Sequence, residues 1–316
     1  MTDEVAEGLR ARITGAVLTD EPLAGYTTLK VGGPAAAMVR AESTDDLAGV
    51  AEVCAAHAVP WLIVGRGSNL LVADAGWPGV VVTLGRGLRG AAIEQSGGAQ
   101  PGDWVVVSAG AAEPMPVLAN TVAGWGLGGL EFGVAIPGSL GGAVRMNAGA
   151  HGGEMRAVLV DAEVVHLADG RLASLAAEDL DMTYRHTSLP ADAVVARARL
   201  RLTRTDPTAL AASMAEMRQW RRDHQPINEP SCGSVFRNPP GDSAGRLIEA
   251  AGLKGHRVGG AQVSQVHANF ITVARGSRAS DVHAVILDVQ AGVRTHSGVT
   301  LQPEVVIAGF PDEVER

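Results

Sequence analysis

The stretch VAIPGSLGGAVRMNAGAHGGE, residues 134–154, decides the fold. Glycines at 138, 141, 142, 149, 152 and 153, one proline and small side chains leave little with which to pack a conventional core. Such a segment is either a flexible linker or a backbone surface moulded against a flat ligand. Ile136, Val144 and Met146 lie within it, and linkers are not usually laced with apolar side chains, so the ligand surface is the better reading. Outward from it, a second glycine loop, VGRGSNLL at 64–71, directly follows the apolar run WLIVG. Gly65 and Gly67 permit positive φ and close approach. Ser68 and Asn69 add side-chain hydrogen bonds, and successive N–H groups can form a nest for phosphate oxygens. An ordinary strand-to-loop turn is the competing reading of this loop.

Two separated glycine loops around one site suit an extended dinucleotide such as FAD. A third run, GWGLGG at 124–129, superficially matches the dinucleotide pattern G-x-G-x-x-G. It follows a helical pattern rather than a strand, and no βαβ unit with a ribose-binding acid surrounds it, so it reads as a helix C-cap and tight connection.

Around these loops the periodicity predicts an amphipathic helix over 4–18, a helix over 44–58 capped by Thr44, and strands at 61–65 and 80–84. A strand at 105–111, a helix at 116–126 and strands at 158–167 and 193–202 around the turn ADG indicate an antiparallel sheet. A capped helix at 205–226 reads as a boundary. Beyond it come a helix from 244, a strand at 269–273, a helix at 279–298 and an apolar strand over 301–310 that contains Glu304. The division is a helical N-terminal segment (1–22), two cofactor-binding subdomains (23–90 and 91–205) and a C-terminal α/β domain (206–316). The fold class is α+β.

Bulk composition narrows the function. Of 316 residues, 46% are hydrophobic and 19% charged, which supports large cores and excludes disorder. A net charge of −8, no basic tract and 3% aromatic residues argue against nucleic acid as a partner. Cys54 and Cys232 form neither a disulfide framework nor a metal cluster, so no metal is expected. The charged N-terminus is no secretory signal, and no apolar run reaches about 18 residues. The expectation is a cytoplasmic protein without membrane insertion, monomeric or a weak homo-oligomer.

In order along the chain, TTLKVGGPA, VGRGSNLLV, AIPGSLGGAVRMNAGAHGGE, YRHTSL, PSCGSVFRNP, AGRLIEAAGLKG, GGAQVSQVHANFI and LQPEVVIAGF resemble the successive motifs of the UDP-N-acetylenolpyruvoylglucosamine reductase family. The resemblance runs from about residue 26 to 310 and implies a vanillyl-alcohol-oxidase-type FAD-binding fold of two subdomains, with a C-terminal substrate domain. It implies non-covalent FAD lined by Gly65, Arg66, Gly67, Ser68, Asn69 and Leu70, and by Pro137, Gly138, Ser139, Gly141, Gly142, Asn147 and Gly149. It further implies NADPH as hydride donor, a UDP-sugar enolpyruvyl ether as substrate, and a place in peptidoglycan synthesis.

Three catalytic residues carry over by the same resemblance: Arg185 in YRHTS, Ser234 in CGSVFRNP and Glu304 in LQPEV. The chemistry explains the residue types. Hydride delivered to the enol ether leaves negative charge beside its carboxylate, which a permanent cation such as Arg185 stabilises. The neighbouring carbon then needs a proton, the part implied for Ser234, with a buried Glu304 assisting. Taken without the resemblance, these are a loop serine, a structural ion-pair glutamate and a turn anchor. Arg237, Asn238, Gln262, His267 and Asn269 are the substrate-contact candidates, with His267 kept outside the catalytic set.

Some relatives carry a loop tyrosine that closes over substrate; here Tyr26 and Tyr184 both precede the C-terminal domain, which marks the shorter, loop-lacking subgroup. Cys232 stands two residues before Ser234, either as a reactive thiol or as a small packed hydrophobe. Three other readings are weighed against this one: an oxidase with FAD bound covalently through His151, which extractable flavin would argue against; a non-catalytic binding regulator of this fold, which Arg185, Ser234 and Glu304 together argue against; and a nucleic-acid-binding or scaffolding protein, which the charge and the glycine loops disfavour.

Overall fold

The computed structural model describes residues 3–311. The chain falls into two compact units that alternate along the sequence. The first holds the chain up to Thr19, Ala37–Gly65 and Gly79–Trp220; the second holds Asp20–Ala36, Arg66–Pro78 and the chain from Arg221 onward. A division into consecutive blocks at 22, 90 and 205 therefore runs along the sequence, whereas the compact units interleave. Strand Leu70–Val72 pairs in parallel with Val306–Ala308, which draws the 66–78 segment to the C-terminal part of the chain.

In the first unit the N-terminal helix spans Asp3–Arg12 and gives way to a strand, Ala16–Pro22, instead of running to residue 18. Buried Asp46 is the cause. Its carboxylate accepts from the N–H groups of Thr14 (2.7 Å), Gly15 (3.2 Å) and Glu42 (2.7 Å), which turns the chain out of the helix. The helix Thr44–His57 is capped by Ser43, whose Oγ accepts the Asp46 N–H, so the cap lies one residue before the expected Thr44. A four-stranded sheet runs in the order Ala16–Pro22, Pro34–Ala41, Trp77–Leu84, Trp61–Ile63, the last two parallel.

The antiparallel sheet expected in the middle of the chain is present. Its order is Leu172–Ala176, Leu159–His166, Ala193–Arg204, Trp104–Gly110, Ala91–Ser96, with the short strand Leu127–Gly128 also paired to Ala193–Arg204. The inward side chains of these strands pack with Met115, Leu118, Leu140 and Val144 into one apolar cluster. The helix Met115–Gly124 ends at Trp125, and Gly126 has φ +70, so the 124–129 run is a helix terminus as read.

The second unit has a four-stranded sheet in the order Ser231–Ser234, Phe270–Val273, Ala261–Val263, Arg257–Val258. Helices Ala244–Ala250 and Ala279–Ser297 bury Leu247, Ile248, Val282, Val285, Ile286 and Val289 into its core. The N-terminus of the long helix is held from far away: Asp74 accepts the N–H groups of Ala279 (2.8 Å) and Ser280 (3.0 Å). Glu304 lies just before strand Val306–Ala308 rather than inside a continuous strand. No helix among the described residues is long and apolar enough to cross a membrane.

Candidate active site

The glycine segment is ordered by its neighbours. Leu140 N–H donates to Glu113 O and Gly141 N–H to Ala111 O, both at 2.9 Å, while Met115 N–H donates to Gly138 O at 3.0 Å. These bonds fix a short helix, Leu140–Arg145, whose Leu140, Ala143 and Val144 are buried. The N–H groups of Gly138, Ser139 and Gly142 make no hydrogen bond among the described residues, so three donors remain at its start. The end of the 61–65 run reaches the same place: a Cβ on Gly65 would stand 2.7 Å from Ser139 Oγ. Backbone donors beside small residues are what an anionic, extended ligand such as a dinucleotide needs, so the 137–142 residues fit the expected cofactor.

Asn147 does something other than its expected cofactor contact. It is fully buried with φ +40, its Oδ1 accepts Arg156 N–H (2.9 Å), and its Nδ2 donates to Thr183 O (2.8 Å) and Glu154 Oε2 (2.9 Å). The side chain is thus occupied in tying the glycine segment to the turn that carries Arg185. In that turn Thr183 and His186 exchange two main-chain hydrogen bonds of 3.0 and 3.1 Å. Arg185 sits at its apex with φ +55, donates from Nη2 to Gly149 O (2.9 Å), and lies over the Tyr184 ring at 5.1 Å. A left-handed arginine costs about 1–2 kcal/mol and persists only where its surroundings over-determine it.

Arg145, which sequence reading passed over, donates to Leu189 O (3.2 Å), Pro190 O (3.0 Å) and Ala193 O. Desolvation lowers its pKa, with Asp192 opposing. An arginine inside an otherwise apolar, glycine-rich run was the available signal.

In the second unit Ser234 ends a strand with a bulge: Ser231 faces Thr272 and Ser234 faces Phe270, so one extra residue stands on the Ser234 side. Gly233 takes that irregularity at φ +76, a conformation that favours glycine. Glu304 reaches the same place, its N–H donating to Val235 O at 2.7 Å. Cys232 is buried, and burial, with the charge of Glu304 adding, pushes its thiol up to about 12. It is the packed hydrophobe, not a reactive thiol.

Asn69 also departs from expectation. Its Nδ2 donates to Glu304 O at 3.0 Å, and its own C=O accepts Val306 N–H at 3.1 Å. The loop is held beneath it: Gly67 has φ +59, a Cβ there would lie 2.0 Å from Tyr26 O, and Gly67 O accepts Thr28 N–H at 3.0 Å.

Of the substrate-contact candidates, Asn269 has its whole amide engaged by Phe236: Oδ1 accepts Phe236 N–H (2.9 Å) and Nδ2 donates to Phe236 O (2.8 Å). Asn238 Oδ1 accepts Ala244 N–H (3.0 Å), and Gln262 bridges Gly255 O (3.1 Å) and Arg257 (2.7 Å). His267 Nδ1 accepts Asn269 N–H (3.2 Å), which puts the neutral ring's proton on Nε2, and burial lowers its pKa. Arg237 Nε is buried without a hydrogen-bond partner among the described residues. Ser234, Glu304 and the substrate-contact candidates belong to the second unit, Arg185 to the first. No group of three or more His, Cys, Asp or Glu poised for a metal occurs among the described residues.

Comparison with known proteins decides the family. Residues 225–308 match the model of the UDP-N-acetylenolpyruvoylglucosamine reductase C-terminal domain, and residues 35–176 match an FAD binding domain. A UDP-N-acetylenolpyruvoylglucosamine reductase from Bacillus velezensis is 41% identical over 97% of this chain and 99% of its own length. One from Rubrobacter xylanophilus is 44% identical over 96% and 99%. The chain belongs to the UDP-N-acetylenolpyruvoylglucosamine reductase family. The crystal structure of the family's reductase from Thermus caldophilus superposes with a TM-score of 0.78 at 36% identity, covering 94% of this chain and 100% of that one. As a family member the protein is an FAD-dependent oxidoreductase, and the α+β fold with an FAD-binding part read from the motifs stands.

Proposed function

We propose that this reductase converts UDP-N-acetylglucosamine enolpyruvate to UDP-N-acetylmuramate with NADPH as the source of electrons, in peptidoglycan synthesis. Bound FAD supplies the hydride chemistry between the two. Residues 65–68 and Leu70, with Pro137, Gly138, Ser139, Gly141, Gly142 and Gly149, hold the cofactor, the latter through the N–H groups of Gly138, Ser139 and Gly142 that make no hydrogen bond among the described residues. Arg185 keeps a permanent positive charge against the carboxylate end of the enolpyruvyl group as negative charge grows there. Ser234 gives the proton to the neighbouring carbon, and Glu304 assists that transfer. Arg237 takes an anionic part of the nucleotide sugar, in keeping with its buried, unpartnered Nε.

The observation that carries this reading is the convergence of Ser234 and Glu304. Glu304 N–H donates to the C=O of Val235, the residue next to Ser234, at 2.7 Å, inside the part that matches the reductase C-terminal domain. The test is anaerobic. NADPH should bleach the flavin absorbance, and UDP-N-acetylglucosamine enolpyruvate should restore it. Ser234→Ala should bleach normally and fail to recover; normal turnover by that variant would remove Ser234 as proton donor. Bleaching without recovery in the parent protein would move it to another acceptor.

A further inference from the structure

Glu304 is placed by main-chain bonds on both sides. Its N–H is taken by Val235 O at 2.7 Å, and Val305 N–H shares the same acceptor at 3.3 Å. Its C=O is taken by a side chain 235 residues away, Asn69 Nδ2 at 3.0 Å. Asn69 grips the segment a second time through its own C=O, which accepts Val306 N–H at 3.1 Å. From there the parallel pairing of Leu70, Leu71 and Val72 with Val306, Ile307 and Ala308 begins. Before Glu304, Pro303 bridges Phe236, and Arg237 N–H donates to Gln302 O at 2.9 Å. Glu304 thus lies at the point where the segment leaves the Val235–Arg237 stretch and joins the Leu70–Val72 strand. Asn69 is the side chain that closes this junction.

We infer that Asn69 is a positioning residue for Glu304, setting the orientation of the 304–305 peptide and so the direction of the Glu304 side chain. The inference rests on the proposed part of Glu304 in turnover. Asn69 is suited to the task because its amide donates to the 304–305 peptide while its main chain accepts from the next one, 305–306. The bulk of the loop cannot drift away, since Gly67 and Thr28 anchor it from beneath. Losing the Nδ2 donor frees a carbonyl beside a carboxyl side chain. A displacement of about 1 Å at a reacting group costs on the order of 100-fold in rate.

The experiment uses the FAD-loaded full chain with Asn69→Ala, Asn69→Asp and Glu304→Gln. Asn69→Ala should slow substrate-driven flavin reoxidation by about 10- to 100-fold. FAD affinity and the rate of NADPH bleaching should stay within about 3-fold, a spread of less than 1 kcal/mol. Asn69→Asp is isosteric but has no donor and adds a negative charge next to Glu304. The pH limb that Glu304→Gln abolishes should therefore move upward in Asn69→Asp. A role in stability alone would lower the unfolding midpoint without moving that limb. Loss of FAD affinity with normal reoxidation would make Asn69 a cofactor contact and overturn the inference. So would a slow Glu304→Gln beside Asn69 variants that reoxidise normally. A Glu304→Gln that turns over like the parent would instead refute the proposed part of Glu304 itself.

Discussion

Replacing Asn269 by alanine separates scaffolding from substrate contact in the second unit. The Asn269 side chain imitates a strand partner, taking the N–H and giving a hydrogen bond to the C=O of Phe236, both residues being buried. Asn269→Ala leaves these two main-chain groups unpaired where water has poor access. Each costs about 1–3 kcal/mol, and with some water entering the vacated volume the sum is about 3 kcal/mol. At about 3–5 °C per kcal/mol for a body of this size, the melting midpoint should fall by about 10 °C. The assay is urea and thermal unfolding followed by far-UV circular dichroism, with KM for the UDP-sugar measured below the onset of the variant's own unfolding transition. The urea slope should be unchanged and KM should stay within about 3-fold. Asn269→Asp keeps the acceptor, loses the donor and buries a charge; it should be no more stable than the alanine variant at pH 8 and regain stability as its carboxyl protonates. A variant that melts like the parent while its KM rises about 10-fold or more, a loss of about 1.4 kcal/mol in binding, would refute the scaffolding argument.

Other expectations are briefer. Burial keeps the His267 ring neutral by lowering its pKa below the ordinary value of about 6.5. The unfolded chain therefore binds this proton first. The contribution is fully present above about pH 6.5 and is lost as pH falls toward the folded value, so His267→Gln should flatten that part of the stability curve. Burial raises both thiols, Cys54 to about 11 and Cys232 to about 12. Native protein at pH 8 should take up no iodoacetamide, and both cysteines should label in denaturant; fast native labelling of Cys232 would contradict its packed position. Asp74→Ala should lower unfolding free energy by about 1–2 kcal/mol through loss of the cap on the helix Ala279–Ser297. For Asp74, desolvation raises the pKa, but the bonds from Ser280 and Ala279 and the charge of Arg278 prevail and hold it low. That stability is present at neutral pH and should fade as pH drops through the depressed value, with Asp74→Asn nearly insensitive to acid.

Long periodic segments were legible from the sequence. The helices Thr44–His57 and Ala279–Ser297 and the strands Leu159–His166 and Ala193–Arg204 follow their apolar spacing to within a residue or two. What escaped depends on partners distant in sequence. The end of the first helix is set by Asp46, and the choice of Ser43 over Thr44 as cap depends on which of two adjacent hydroxyl residues adopts extended backbone. The helix Leu140–Arg145 hid inside a glycine run, although buried Leu140, Ala143 and Val144 keep the i, i+3, i+4 spacing. Strand Ala16–Pro22 is mostly exposed and carries Thr, Asp and Glu, so no alternation marks it. For the site, the motifs identified Arg185, Ser234 and Glu304 as residues, but spacing revealed none of their geometry. The left-handed turn of Arg185, the bulge at Gly233, and the diversion of Asn69, Asn147 and Asn269 into holding main chain are visible only once the folded partners are known.

The parallel pairing of Leu70–Val72 with Val306–Ala308 has a consequence for biosynthesis. Asn69 and Glu304 are separated by 235 residues, which a ribosome adding about 5–20 residues per second makes in roughly 12–47 s. Throughout that interval the emerging apolar strand has no native partner. The second unit can close only after residue 308 has been made, so ribosome-associated chaperones have a long window in which to shield it, and a chain released before residue 306 would leave the strand's edge open to other nascent proteins.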